Sequence, residues 1–138
     1  MAEMTREEVY AWLDNGPRWC RLATIGRDGY PHQVPLGYFR LDEDIYVSMR
    51  GQRLVNVRRN PKVSIVVDSG EAMNELKGAV IEGDAELLED PAAILEVLRE
   101  SGRRRGTPED QLPTGARPGR VYIRVRPRRI ASWDNAKR

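Results

Sequence analysis

Ile45-Tyr46-Val47-Ser48-Met49-Arg50-Gly51-Gln52-Arg53-Leu54-Val55-Asn56-Val57-Arg58-Arg59-Asn60-Pro61-Lys62-Val63-Ser64 carries the decisive change of pattern in this chain. Ile45 to Met49 is rich in β-branched and aromatic residues and reads as a strand. After Gly51, the apolar residues Leu54, Val55 and Val57 are interleaved with Arg and Asn, which suits a short helix. Asn60-Pro61 stops that helix, because the residue before a proline avoids the α region. Lys62 to Asp68 then reads as a buried strand. A strand therefore delivers the Ser48 hydroxyl, and a helix opens with Arg53 in its first turn. Free amides at a helix start favour anions, and a guanidinium grips two phosphate oxygens at once. The stretch has the parts of a phosphate pocket.

Outward from it, the grammar is that of strands with tight connections. Thr5 and Glu8 form a capping box for a first helix, which Asn15-Gly16-Pro17 ends. Trp19 to Ile25 is a strand leading into the turn Gly26-Arg27-Asp28-Gly29. A second strand runs from about Tyr30 to Phe39; its Pro31 and Pro35 donate nothing to a ladder and imply an edge or a bulge. With Ile45 to Met49 these strands make a meander. Leu76 to Leu88 is a further strand, and Asp90-Pro91 opens a helix that Gly102 ends. Residues 102–119, rich in Arg, Gly and Pro, read as a long loop, and the run Arg103 to Arg105 as a solvated charged segment. In the last strand, Arg120 to Ser132, Val121, Ile123 and Val125 alternate with polar residues, so one face is buried. The chain is mainly β with peripheral helices: about six antiparallel strands, closing most easily as a small barrel without exposed edges.

The length of 138 residues is that of one domain, 1–138, with no room for two cores. The 23 basic residues are nearly balanced by 21 acidic ones, which points to local anion sites rather than general nucleic-acid affinity. A single cysteine, Cys20, makes no intrachain disulfide, and no apolar run approaches a membrane span. A cytoplasmic protein with no membrane role is expected.

Asp28-Gly29-Tyr30-Pro31-His32-Gln33-Val34-Pro35, together with the Ile45 to Ser64 stretch, resembles the pyridoxamine 5'-phosphate oxidase-like split-barrel flavoproteins, which include oxidoreductases that use coenzyme F420. The closing segment Arg120 to Asp134 resembles the last strand of the smaller members. The resemblance implies an FMN-binding type of split barrel and a flavin-type cofactor, FMN or coenzyme F420. It places Val34, Pro35 and Leu36 beneath the ring, Val47 and Ser48 along the ribityl chain, and Gln52 and Arg53 on the phosphate; Arg50, Arg53 and the Arg103 to Arg105 run would serve the longer acidic tail of the deazaflavin as easily as the phosphate of FMN. Asn56 would face the cofactor from the short helix. Trp133 would reach the ring of a partner subunit, because members of the family bind cofactor across a homodimer interface. Val34 stands where the phosphate-oxidising members place arginine, and Arg53 where lysine is common, so vitamin B6 phosphate is not the expected substrate.

The remaining chemistry is sparse. His32 is the one histidine, so neither a metal cluster nor a triad around Ser48 can be assembled, and a pocket rim is its expected place. Glu82, Asp84 and Glu86 alternate along one strand as a solvated face. No catalytic side chain is assigned, because in such proteins the cofactor carries the reaction. The expected function is hydride transfer to or from a small organic substrate; the alternative is a non-catalytic protein that binds or sequesters a flavin.

Overall fold

The computed structural model describes residues 2–137. Seven strands form one antiparallel sheet: β1 (Trp19–Ile25), β2 (Pro31–Gly37), β3 (Phe39–Leu41), β4 (Asp44–Met49), β5 (Lys62–Ser69), β6 (Lys77–Leu88) and β7 (Val121–Asp134). Their order across the sheet is β2-β1-β5-β6-β7-β4-β3. The two outermost strands, β2 and β3, are consecutive in the chain and separated only by Tyr38. The sheet must therefore curl until its edges approach each other, which gives a split barrel.

Tyr38 also explains the seventh strand. The run from Tyr30 to Phe39 is not one strand, as its composition suggests, but two. The Tyr38 hydroxyl lies 2.7 Å from the Pro17 carbonyl and 3.2 Å from that of Leu13, and shares its proton between them. This long-range anchor fixes the point where the chain leaves one edge and joins the other. The expected three-strand meander is likewise replaced by two hairpins, β1 with β2 and β3 with β4. Pro31 and Pro35 lie on β2, which pairs only with β1, so their missing donors face no ladder.

The barrel interior is filled from every long strand, with Leu22, Ile45, Ile65, Ile81 and Ile123 fully buried. Each such side chain contributes about 1.5–3 kcal/mol relative to exposure. Helix α1 (Arg6–Asn15) carries the expected capping box, with reciprocal bonds of 3.1 and 3.0 Å between Thr5 and Glu8, and buries Val9 and Leu13 against the sheet. Helix α2 (Gly51–Arg59) links β4 to β5 and packs against β1. Helix α3 (Pro91–Arg104) runs past the expected stop at Gly102. A Cβ at Gly102 would lie 2.6 Å from the Leu112 side chain, so this glycine serves close packing of the following loop rather than helix termination. That loop is pinned by buried Leu112 and by a short 3₁₀ turn, Glu109–Gln111. Among the described residues no helix is long and apolar enough to cross a membrane.

Candidate functional site

The chain passes from β4 into α2 without a linker. Arg50 is extended, and Gly51 has φ +63°, a left-handed conformation that costs other residues about 1–2 kcal/mol. Helix α2 begins with no side-chain cap and no acidic residue in its first turn. Its positive end is therefore open to an external anion.

One side of that helix start borders a cleft of about 450 Å³, lined by Ser48, Met49, Arg50 and Arg53 and by residues 117–121. Among the described residues four arginines line it, Arg50, Arg53, Arg117 and Arg120, and no carboxylate does. The Arg53 guanidinium turns back onto the Ser48 carbonyl, donating at 3.3 and 3.2 Å. Burial, and next the charge of Arg50, pull the Arg53 pKa down from its ordinary value. The protein thus holds two cations together at a desolvation cost. Across the cleft, Arg117-Pro118-Gly119-Arg120 folds as a tight turn closed by the Arg120 amide on the Arg117 carbonyl, 3.2 Å, with Gly119 at φ +76°. Proline second and a positive-φ glycine third are the features of a type II turn. The Arg120 guanidinium lies 5.4 Å from the Tyr122 ring centroid and donates to its hydroxyl at 3.1 Å, while Arg120 Nε is buried with no acceptor.

The other side of α2 borders a wider cleft of about 640 Å³, lined by residues 26–28 and 30–32 with Gln52 and Asn56. Asn56 is 0% exposed. Its Nδ2 donates to Thr24 Oγ1 at 3.0 Å, and its Oδ1 accepts from Gln52 at 2.8 Å and from Arg59 at 3.3 Å. Arg59 also donates to the Ile25 carbonyl at 2.7 Å. This buried network ties α2 to β1. His32 stands at the cleft wall with Nδ1 buried and unpartnered.

The residues singled out from sequence fall into five groups. Ser48, Arg50 and Arg53 meet in the arginine cleft, and Gln52 and Asn56 in the wider one. Val47 is 1% exposed within the core, so only its main chain can face a ligand. Val34, Pro35 and Leu36 follow His32 along β2; Leu36 packs on the core, and none of the three lines either cleft. Trp133 lies at the far end of β7, opposite Gly78, where an added Cβ would sit 2.3 Å from the indole. The twelve residue steps from Val121 to Trp133 span up to ~40 Å of strand. Trp133 therefore does not join the arginine cleft of its own chain. Arg117 and Arg120 were not anticipated, although the Arg-Pro-Gly-Arg pattern was a turn signal in plain view. The Arg103 to Arg105 segment turns elsewhere: Arg103 meets Glu109 at 2.9 Å, and Arg104 meets Glu100 at 3.0 Å and Asp42 at 3.1 Å.

This architecture has relatives. A conserved hypothetical protein of Mycobacterium tuberculosis shares 32% identity over 96% of this chain and 86% of its own, with a TM-score of 0.79. An FAD-binding protein of Mesorhizobium loti shares 26% over 95% and 93%, with a TM-score of 0.72. The 5a,11a-dehydrotetracycline/5a,11a-dehydrooxytetracycline reductase of Streptomyces rimosus is 31% identical over 127 residues, 82% of this chain and 72% of the relative. The family model described as pyridoxamine 5'-phosphate oxidase matches residues 5–134, nearly the whole barrel with both faces of α2, and the chain belongs to that family of split barrels.

Proposed function

We propose that the protein is an oxidoreductase that binds a flavin-type cofactor, FMN or coenzyme F420, and passes a hydride to or from a small organic substrate. The carrying observation is the arginine cleft at the open start of α2, which Arg50 and Arg53 line together with no carboxylate in its described lining. A phosphate group is the anion that such a place suits best. The family and the reductase from Streptomyces rimosus support the redox chemistry, and the FAD-binding relative supports a flavin.

When bound, the cofactor supplies the hydride chemistry. The protein's part is to hold it. Arg53, fixed by the Ser48 carbonyl, and Arg50 take the phosphate with the first amides of α2, and Ser48 offers a hydroxyl beside them. Asn56 sets the position of α2, and through it of both arginines. The main chain of Val34, Pro35 and Leu36 lies along the barrel edge, where the ring of a cofactor shared between subunits is expected. A homodimer completes the site: Trp133 is too far along β7 to serve its own chain, and Trp19, 65% exposed, offers apolar surface for a second copy. Conjugated, electron-poor acceptors are the substrates to try first, in keeping with the dehydrotetracyclines named for the relative.

The test is fluorescence titration of cofactor-free protein with FMN and with F420. Binding of F420 alone points to a deazaflavin reductase, and binding of FMN alone to an oxidase or flavin reductase that oxygen consumption would reveal. Absence of both refutes the reading. Binding without turnover of the reduced cofactor by any acceptor marks a sequestering protein instead.

A further inference from the structure

We infer that the Arg117-Pro118-Gly119-Arg120 turn is a second anion-binding element, so that the cofactor carries a further anionic group beyond the phosphate held by Arg50 and Arg53. The inference rests on the flavin reading above. A phosphate monoester such as that of FMN bears a charge of about −1.5 to −2 near neutral pH. Arg50, Arg53 and the open end of α2 already match it. Arg117 and Arg120 bring two more guanidinium groups to the same cleft, again with no carboxylate in its lining.

Three features separate this turn from an ordinary basic loop. It is built: a closing hydrogen bond of 3.2 Å and a glycine at φ +76° fix its shape. A tight turn brings its first and fourth residues within about 7 Å, here the two arginines. Its cations are gathered and unmatched: the four arginines share one cleft whose described lining holds no carboxylate, and none of them is ion-paired among the described residues. Its donor is orphaned: Tyr122 takes one N–H of Arg120, but Nε is buried without an acceptor. A buried donor of a charged group left unpaired is costly, so an acceptor from outside the chain is the economical partner. Planar guanidinium forks suit oxyanions, either the pyrophosphate of a dinucleotide such as FAD or the carboxylates of an acidic tail such as that of F420.

The test is fluorescence titration of riboflavin, FMN, FAD and F420 into the full-length wild type, R117Q/R120Q and R117K/R120K. FAD or F420 should bind the wild type about tenfold or more tighter than FMN, and R117Q/R120Q should lose that margin while its FMN affinity holds within about twofold. The lysine variant should restore part of the margin, which separates loss of charge from loss of fold. Sodium chloride should weaken the longer ligand more steeply than FMN. The ligand that shows the margin identifies the anion as pyrophosphate or carboxylate. Equal weakening of FMN in R117Q/R120Q would mean that the turn serves the same phosphate, and unchanged binding of every ligand that it serves none; either overturns the inference. FMN binding to the wild type without a margin overturns this inference alone, whereas no flavin binding at all removes the flavin reading with it.

Discussion

Two arginine-rich regions of this protein look alike in sequence and differ in what meets their charge. At the end of α3, Arg103 and Arg104 are exposed and reach Glu100, Glu109 and Asp42. At the start of α2, Arg50 and Arg53 share a cleft with Arg117 and Arg120 and meet no carboxylate there. The first region is closed on itself and holds the loop after α3 in place. The second leaves positive charge unmatched over a partly buried helix start. Counting arginines cannot tell them apart; following each guanidinium to its partner can.

The sharpest division between the two regions lies beneath them. The cleft stands on a buried polar network, the α3 region on surface pairs. Asn56→Leu strands the buried Thr24 hydroxyl and cuts Gln52 and Arg59 loose from the network, and should lower unfolding stability by about 2–3 kcal/mol in urea titration. Glu100→Ala removes two surface partners and should stay within about 0.5 kcal/mol of wild type. Similar losses for both would mean that α2 does not depend on Asn56. Next in size is ligand affinity. Arg53→Ala should weaken the bound flavin by about 2 kcal/mol, roughly thirtyfold, as for a lost charge-assisted hydrogen bond. Arg104→Ala should leave that affinity unchanged, since its partners are Glu100 and Asp42. Fluorescence titration reads both, and equal effects would erase the distinction between the regions.

How much of this was legible beforehand follows from how local each signal is. The Thr5–Glu8 capping box, the Asn60-Pro61 stop and the alternation of β7 are decided by near neighbours and are where the residue pattern puts them. The break at Tyr38 is not, because it depends on carbonyls of Leu13 and Pro17, more than twenty positions away. Gly102 was misread as a stop for the same reason: its neighbour is Leu112, across the fold. In the candidate site, Gly51 with Arg50 and Arg53 is a local motif and was readable. The burial of Val47 and Asn56 depends on the barrel behind them. The Arg117–Arg120 turn was readable as a turn, but not as part of a site, since only the pairing of β4 with β7 brings it opposite α2.

The unmatched cleft also makes a prediction that needs no cofactor. If Arg50 and Arg53 repel each other at a desolvation cost, a small anion that settles between them should stabilise the fold. Inorganic phosphate at about ten times its dissociation constant should add about 1.4 kcal/mol to unfolding stability, visible as a rise in Tm. The rise should vanish in R50A/R53A and persist in R103A/R104A. A rise in all three proteins would reflect a general salt effect and not this cleft.

The smallest effect belongs to the closed region, and its sign is set by Glu109. The hydrogen bond from Arg103 holds the Glu109 carboxyl below its ordinary value of 4.5. A carboxyl whose pKa is depressed on folding stabilises the fold above its unfolded value, and that contribution fades as pH falls through the folded one. Because Glu109 is fully exposed, the contribution is slight and screened by salt. Urea midpoints of wild type and Glu109→Gln should therefore differ slightly at about pH 7, converge as the pH falls through the lowered folded-state pKa, and converge at any pH in roughly 1 M salt. A difference that survives at low pH would show that Glu109 acts through its packing on the loop. The arginine cleft, which no carboxylate lines, has no such acid limb of its own, so the same titration separates the two regions a last time.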